Sequence, residues 1–336
     1  MGWARRLCAR DICVSIAIGA VGASGCSSIG GGGDDDPSCA HPPCGAPGAD
    51  GGGGGGGDGG GGGGDGDGGV DLGNFSEPMV IPALSSTMTG EGDPSLTEDG
   101  LELYFSSDRA GGGGGGQDIW VSRRESVGDD WGDPDPVPAL NSADAEFDPE
   151  VSTDGLTLWM NSTRADAAAK GGFDLFVSTR ETREDDWGGP TIVPVLNSVD
   201  SDMGAVMDAS KTVLVFHRVT GGGVYGLYQS IRDDEDSAWG DPAPLTSVNS
   251  DPVADAYLSP DGLTVYFNST RDGGDGSWDI WRATRQSPAS LFTLPENVGE
   301  LNTESHEANV ALSNGMHYLV MTSARSGDHE IYQASR

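Results

Sequence analysis

From residue 90 onward, short apolar runs alternate with glycine-containing turns. The clearest run, LTVYFN at 263–268, carries apolar residues on both faces, as expected for a strand that is covered on both sides. Asp261-Gly262 precedes it, and this pair is typical of a two-residue hairpin turn, because glycine adopts positive φ and Asp bonds its own backbone. A glycine-rich loop and a further apolar run around Ile280 follow. The pattern predicts three consecutive antiparallel strands here.

The same three-strand unit occurs five times, with 51 to 56 residues between successive turns. The predicted turns are Asp99-Gly100, Asp154-Gly155, Ser210-Lys211, Asp261-Gly262 and Asn314-Gly315. After each of the first four units comes a segment with an aromatic residue, a proline and a terminal Asn, and we interpret it as a fourth strand. These segments are residues 131–141, 187–197, 239–249 and 292–302. Four short strands per unit at a fixed period predict a β-propeller built from four-stranded antiparallel blades.

The fifth unit lacks a fourth strand, because the sequence ends at Arg336 where the third strand ends. Residues 75–85, FSEPMVIPALS, carry the same aromatic residue, prolines and Leu-Ser ending as the other fourth strands. Pairing this segment with the last blade removes an exposed sheet edge. The sequence therefore predicts an all-β fold, a five-bladed propeller over residues 71–336 that is closed by an N-terminal strand.

The motif SPDGLTVYFNSTR at 259–271, followed by DIW at 279–281, resembles the WD40-like β-propeller repeat of the TolB type. That resemblance implies a binding or scaffolding role and contributes no catalytic residues. We therefore expect a protein-binding or scaffold module that is not an enzyme. Since other propellers act on glycans, the alternative is a glycan-directed lectin or glycoside hydrolase.

Residues 1–26 have the features of an export signal. Three arginines come first, and the apolar run at 12–23 is too short to span a bilayer as a helix. The run ends in Ala23-Ser24-Gly25-Cys26, which resembles a bacterial lipoprotein processing site. We expect cleavage before Cys26 and lipidation of that cysteine, the alternative being a plainly secreted protein. The expected location is the outer membrane, with the domain facing the periplasm or the cell surface.

Residues 27–70 are predicted to be a disordered linker, because from Gly51 to Gly69 every residue is Gly or Asp. The linker also carries Cys39 and Cys44. With His41 they are too few ligands for a zinc site, so we expect a small disulfide loop, the alternative being a free pair.

The chain is strongly acidic, with 53 Asp and Glu against 18 Lys and Arg and a formal net charge of −35. Most of this charge lies in the propeller, since residues 1–70 hold only eight of the acids. Such a surface repels nucleic acid. The expected partner of the monomeric domain is an envelope protein or a basic peptide, while solubility alone is the alternative reason for the charge.

Acidic residues recur shortly before or within each predicted innermost strand. They are Glu91, Asp93, Glu146, Asp148, Asp202, Asp255 and Glu307. Blade symmetry predicts a ring around the mouth of the central channel, where carboxylates would bind Ca²⁺ or a basic peptide. No other cofactor is expected. The alternative is that these acids cap strand ends in solvent.

Two further groups of polar residues belong to the same face. Each arginine that ends a second strand is predicted to pair with an acid that starts the third strand. The pairs are Arg109 with Asp118, Arg164 with Asp174, Arg271 with Asp279 and Arg325 with Glu330. His306 and His329 are weak candidates for a transition-metal site, and surface polar residues are the alternative.

Overall fold

The computed structural model describes residues 75–85, 90–313 and 315–336. The predicted signal (1–26) and linker (27–70), with Cys26, Cys39 and Cys44, lie outside these residues. All the regular elements of the described part are β-strands. No described segment forms a helix with the length and apolar character needed to cross a membrane.

Twenty strands form five antiparallel four-stranded sheets, which confirms the predicted five-bladed β-propeller. Blade 1 comprises β2 (Glu91–Leu96), β3 (Glu102–Ser107), β4 (Asp118–Arg123) and β5 (Asp135–Pro136). Blade 2 comprises β6 (Glu146–Val151), β7 (Thr157–Ser162), β8 (Asp174–Thr179) and β9 (Thr191–Ile192). Blade 3 comprises β10 (Ser201–Met207), β11 (Val213–Val219), β12 (Tyr225–Ile231) and β13 (Ala243–Pro244). Blade 4 comprises β14 (Val253–Leu258), β15 (Thr264–Ser269), β16 (Asp279–Thr284) and β17 (Glu296–Asn297).

Blade 5 joins the two ends of the propeller, as predicted. It comprises β18 (Glu307–Ser313), β19 (Tyr318–Ser323), β20 (Glu330–Ser335) and the N-terminal β1 (Met79–Val80). Met79 pairs with Gln333 and Val80 with Tyr332. The backbone N–H of Ile81 adds a bond of 2.9 Å to the carbonyl of Ile331. The short outer strand thus covers the edge that β20 would otherwise expose.

The first four hairpin turns occur where predicted but are wider than two residues, while Asn314 of the fifth predicted turn lies outside the described residues. In blade 1 the Gly100 N–H donates to the Thr97 carbonyl at 2.8 Å, and the Thr97 N–H donates to the Glu102 carbonyl at 3.1 Å. Gly100 has φ of 67°, which an L-residue rarely adopts. Asp99 does not share this left-handed conformation, so the turn is not the primed type that a two-residue loop requires.

The hydrophobic core lies between blades. Five clusters of buried apolar residues are present, and each combines side chains from two neighbouring blades. Two T-shaped aromatic pairs show the arrangement: Tyr104 with Trp187 between blades 1 and 2, and Trp159 with Trp239 between blades 2 and 3. Burying such side chains stabilises the fold by about 1.5–3 kcal/mol each. The blades therefore hold one another in a fixed ring.

Candidate functional site at the channel mouth

Each innermost strand carries a β-bulge at the same position. The bulged residues all have positive φ: Asp93 (53°), Asp148 (49°), Gly204 (59°), Asp255 (46°) and Asn309 (51°). Glycine, Asp and Asn are the residues that tolerate this conformation best. The backbone alone therefore accounts for the residue types at the bulges. It does not account for Glu150, a further acid that lies beside the bulged residues.

The seven predicted acids separate into two groups. Four of them are fully buried and paired with the arginine that follows the second strand of the same blade. The pairs are Glu91–Arg109 (3.0 Å), Glu146–Arg164 (2.9 Å), Asp202–Arg218 (2.6 Å) and Glu307–Arg325 (3.5 Å). Blade 4 has Val253 at this position, and the Ser269 hydroxyl donates to the Pro252 carbonyl at 2.7 Å instead. These four acids hold the blades together and are not available to a ligand.

The predicted partners of the arginines are thus corrected. Asp118, at the start of a third strand, accepts a hydrogen bond of 2.7 Å from the N–H of Gly113. A Cβ on Gly112 would lie 2.2 Å from Asp118 Oδ2, which explains why this loop needs glycine. Asp174 and Asp279 likewise accept loop N–H groups, at 2.9 and 3.0 Å. The acids of the third strands therefore fold the glycine-rich loops, and four of the arginines pair with first-strand acids instead. Arg271 has no such acid in its blade and donates to the Val248 carbonyl at 2.8 Å.

The other three predicted acids, Asp93, Asp148 and Asp255, lie together. They line a recess in the channel with Glu150, Gly204, Ala256, Asn309 and Val310. The recess holds about 250 Å³ of empty space, counting its opening to solvent. Its lining contains four carboxyl groups and no basic side chain. The symmetry of the blades thus brings acids from blades 1, 2 and 4 to one point.

Hydrogen bonds hold the lining in place. The Asn309 amide donates to Asp93 Oδ1 at 3.0 Å, and the Ser106 hydroxyl donates to the other oxygen of Asp93. The Ser95 hydroxyl donates to Glu150 Oε2 at 3.0 Å. Asp148 is only 6% exposed, and its Oδ2 receives no hydrogen bond from the described residues. The carboxyl groups of Asp148 and Asp93 lie within hydrogen-bonding reach of each other, so they share a proton unless a donor from a ligand comes between them.

The carboxyl groups differ in their readiness to ionise. Burial raises the pKa of Glu150 to about 8, and the charges of Asp93 and Asp255 act in the same direction. Burial also raises the pKa of Asp255, to about 6, while a hydrogen bond from Asn268 opposes the rise. The pKa of Asp148 lies well above its ordinary value because of burial and the nearby Asp93 and Asp255. At neutral pH the recess therefore contains a protonated Glu150 and an ionised Asp255.

In blade 3 the bulged residue is Gly204, which has no side chain. The His217 side chain occupies the space beside it. A Cβ on Gly204 would lie 3.0 Å from His217 Nδ1. The N–H of Asp255 donates to that nitrogen at 3.4 Å, so Nδ1 carries no proton. Burial lowers the pKa of His217 to about 4. His217 is therefore neutral, and its contact of 3.5 Å with Asp255 Oδ1 is not an ion pair.

A row of half-buried rings extends from His217 along the same face, from blade 3 to blade 5. His217 stacks on Tyr225 with centroids 6.3 Å apart, and Tyr225 meets Trp278 edge-on at 5.9 Å. Trp278 lies 6.4 Å from His306, which lies 4.9 Å from His329. We call these five residues the aromatic row. The acidic recess thus has an aromatic surface on one side.

Two metal sites were considered from the sequence, Ca²⁺ at the acidic ring and a transition metal at His306 and His329. Among the described residues, no three His, Cys, Asp or Glu side chains are placed to share a metal ion. His306 and His329 contact each other, and burial lowers the pKa of both. Ca²⁺ at the acidic ring stays a prediction.

Several site residues were missed at the sequence level: Glu150, Asn309, His217, Tyr225 and Trp278. The missed signal for Glu150 was a break in the repeat. The equivalent positions in the other innermost strands hold Ser95, Val206, Tyr257 and Ala311, and only blade 2 has an acid there.

The fold and the recess define a five-bladed propeller with an acidic channel mouth. A comparison with protein-family models gives no match, and a comparison with curated proteins gives none either. Solved structures are similar. A thermostable family-43 glycoside hydrolase has a TM-score of 0.53 and 13% identity over 76% of this chain and 91% of that one. An endo-arabinase from Bacteroides thetaiotaomicron has a TM-score of 0.52 and 16% identity, over 78% and 97%.

A putative TolB from Agrobacterium tumefaciens is also similar, with a TM-score of 0.46 and 18% identity over 75% of this chain and 79% of that one. At these identities the likenesses show the fold alone. The prediction that the chain is not an enzyme is nevertheless contradicted. It rested on the propeller being a fold for binding, whereas the similar solved structures include glycoside hydrolases of families 43 and 117.

Proposed function

We propose that the propeller binds a glycan at the channel mouth and hydrolyses it there. The observation that carries this proposal is the pair of Glu150 and Asp255 in one recess. The two groups come from blades 2 and 4, which are not neighbours, so they approach the recess from different sides. Their pKa values lie on opposite sides of neutrality. Two carboxyl groups held in different protonation states are what glycoside hydrolysis requires.

The roles follow from the protonation states. Glu150 holds the proton that passes to the glycosidic oxygen as the bond from the anomeric carbon to that oxygen breaks. Asp255 is the ionised group that accepts a proton from water while the water oxygen bonds to the anomeric carbon. The products are two sugars, one with a new reducing end. Asp255 then releases its proton to solvent, and Glu150 regains a proton from solvent. Burial and the charges of Asp93 and Asp255 keep the pKa of Glu150 high, while Asp93 and Asp148 hold the sugar hydroxyls.

The aromatic row supports a sugar as the ligand, because the C–H face of a sugar ring packs against Trp and Tyr side chains. Trp278 and Tyr225 are half-buried, so each presents part of its ring to a ligand at the mouth. The similar solved structures include a family-43 glycoside hydrolase and an endo-arabinase, so this fold is compatible with glycan hydrolysis.

The test uses residues 71–336 and a panel of neutral oligosaccharides, with release of reducing ends as the readout. Glu150→Gln and Asp255→Asn should each lower the rate by at least about 100-fold, the usual contribution of general acid–base catalysis. Asp129→Asn, on the exposed opposite face, is the matched control and should change nothing. Hydrolysis that survives both recess variants would overturn the assignment of these residues. Binding of glycans without hydrolysis would contradict the catalytic part of the proposal and indicate a lectin.

A further inference from the structure

We propose that the ligand of the recess is a glycan with free amino groups, whose ammonium is bound by the carboxylates while its sugar rings pack on the aromatic row. This inference rests on the proposed function, since it names the class of glycan. It specifies the charge of the ligand, which hydrolysis alone does not.

The first argument is the charge of the recess. Four carboxyl groups line it, and none of the lining residues is basic. The arginines of the same face are engaged elsewhere. Arg109 donates to Glu91 and to the Leu84 carbonyl, while Arg325 forms an ion pair of 3.5 Å with Glu307 and donates to the Leu301 carbonyl. Asp255 is ionised at neutral pH, so an anionic sugar would meet its uncompensated negative charge. A cationic sugar would supply the missing positive charge.

The second argument is the unused acceptor of Asp148. Its carboxyl is more than nine-tenths buried, and Oδ2 receives no hydrogen bond from the described residues. Gly204 lies beside it, since a Cβ at Gly204 would stand 3.9 Å from this oxygen. The absence of a side chain at Gly204 keeps the approach to Asp148 open. An ammonium has three N–H donors and suits an acceptor that is otherwise unsatisfied.

The third argument is continuity between the recess and the aromatic row. Asp255 contacts His217, which stacks on Tyr225, which in turn meets Trp278. A sugar ring that packs on Tyr225 thus lies next to the carboxylates of the recess. The same ligand can then satisfy both surfaces, the ring through its apolar face and the amine through charge.

The experiment compares three tetrasaccharides with the same β-1,4 backbone by calorimetry. They carry a free amine (tetra-glucosamine), an acetylated amine (tetra-N-acetylglucosamine) or a hydroxyl (cellotetraose) at carbon 2. The amine form should bind at least about tenfold more tightly than either neutral form, because a buried charge pair contributes at least that much. Asp148→Asn and Asp255→Asn should abolish the preference for the amine form, whereas Trp278→Ala should weaken the binding of all three ligands.

The negative surface of the domain calls for a control. A variant that neutralises the exposed Asp129, Asp130, Asp185 and Asp186 on the opposite face removes more charge than either recess variant and should still keep the full preference. If it loses the preference as the recess variants do, binding reflects surface charge and the inference is wrong. Thermal unfolding of each variant shows whether it is folded.

The other outcomes separate this inference from the proposed function. If the neutral tetramers bind equally or more tightly, the site does not recognise the amine, and the proposal of glycan binding is unaffected. Failure of all three tetramers and of the neutral panel overturns both. A lysine-rich peptide that binds the recess where tetra-glucosamine does not would assign the site to a protein partner and overturn both as well.

Discussion

The Ser95 hydroxyl of blade 1 donates a hydrogen bond of 3.0 Å to Glu150 Oε2 in blade 2. The same hydroxyl accepts the N–H of Val151 at 3.0 Å, so it ties the two innermost strands together. Glu150 is thus held in the channel by a neutral group. Four residues earlier in the same strand, Glu146 is held by the cation of Arg164 at 2.9 Å. The two acids should therefore respond to substitution in opposite ways.

Glu150→Gln should make the domain more stable at alkaline pH. The folded-state pKa of about 8 lies above the unfolded value of about 4.3, so ionisation of Glu150 lowers stability as the pH rises between these values. Glutamine cannot ionise and still accepts the Ser95 bond. From pH 6 to pH 8 the variant should gain on the order of 2 kcal/mol relative to wild type.

Urea unfolding at the two pH values measures this difference. Glu125→Gln, which changes an exposed carboxylate far from the recess, is the control and should follow wild type. Parallel pH profiles of the Glu150 variant and wild type would show that Glu150 ionises as easily in the folded protein as in the unfolded chain.

Glu146→Gln should be destabilising at neutral pH. Glu146 is fully buried and accepts bonds from the Ser142 N–H (2.9 Å), the Ser142 hydroxyl (2.6 Å) and the Ser162 hydroxyl (2.8 Å) besides its pair with Arg164. Removing one partner of a buried ion pair typically costs about 3–5 kcal/mol. Chemical unfolding should therefore show a loss of about 3 kcal/mol, with Asp144→Asn in the exposed part of the same loop as the control. A loss no larger than that of the control would mean that the pair is not structural.

The fold was predictable because its signals repeat. The pattern of SPDGLTVYFNSTR returns in weaker copies in the other units, and residues 75–85 share the aromatic residue and prolines of the fourth segments. Repetition also gave the position of Asp93, Asp148 and Asp255, which occupy one bulge in three blades. Because every blade carries the same sequence pattern, the strand register and the closure of the ring could be predicted from one sequence.

The site was less predictable because it depends on departures from the repeat. The pKa of Glu150 is raised by burial in the channel and by Asp93 and Asp255, which reach the same recess from other blades, and no local pattern shows this. The acidic partners of the arginines were predicted wrongly for a related reason. Asp118 and Glu91 both lie close to Arg109 along the blade, and only the fold of the glycine-rich loop shows that Asp118 is occupied by the Gly113 N–H.

Deleting residues 75–85 should abolish cooperative unfolding. The segment buries Ile81 and Leu84, and the Leu84 carbonyl accepts a bond of 2.7 Å from Arg109. Losing the two side chains alone costs about 3–6 kcal/mol, which is a large part of the stability of an ordinary domain. Calorimetry tests this, with deletion of 27–70 as a control that should leave Tm unchanged. A single sharp transition at the wild-type temperature in the shorter protein would show that closure does not need β1.

Cys26→Ser should move the protein from the membrane fraction to the soluble fraction. We propose that Cys26 carries the lipid, because Ala23-Ser24-Gly25-Cys26 resembles a lipoprotein processing site. Without acyl chains the protein loses its hydrophobic anchor. Fractionation of cells decides this, and Cys39→Ser serves as the matched cysteine control. Continued membrane association of the Cys26 variant would place the anchor elsewhere.

His217→Asn should protect the domain against mild acid. Blades 2 and 4 have Asn161 and Asn268 at the equivalent position, and the Asn161 amide oxygen accepts the Gly204 N–H at 3.2 Å. Asparagine at 217 can therefore accept the Asp255 N–H in the same way.

The sign of the His217 effect follows from its depressed pKa. The folded-state value of about 4 lies below the unfolded value of about 6.5, so the unfolded chain binds the extra proton and wild type loses stability as the pH falls from 6.5 to 4. The variant lacks this loss, which should amount to about 2–3 kcal/mol. Urea unfolding at pH 7 and pH 4.5 measures it, with His317→Asn at an exposed position as the control. If the two histidine variants lose stability equally on acidification, the buried imidazole is not what limits the acid tolerance of the propeller.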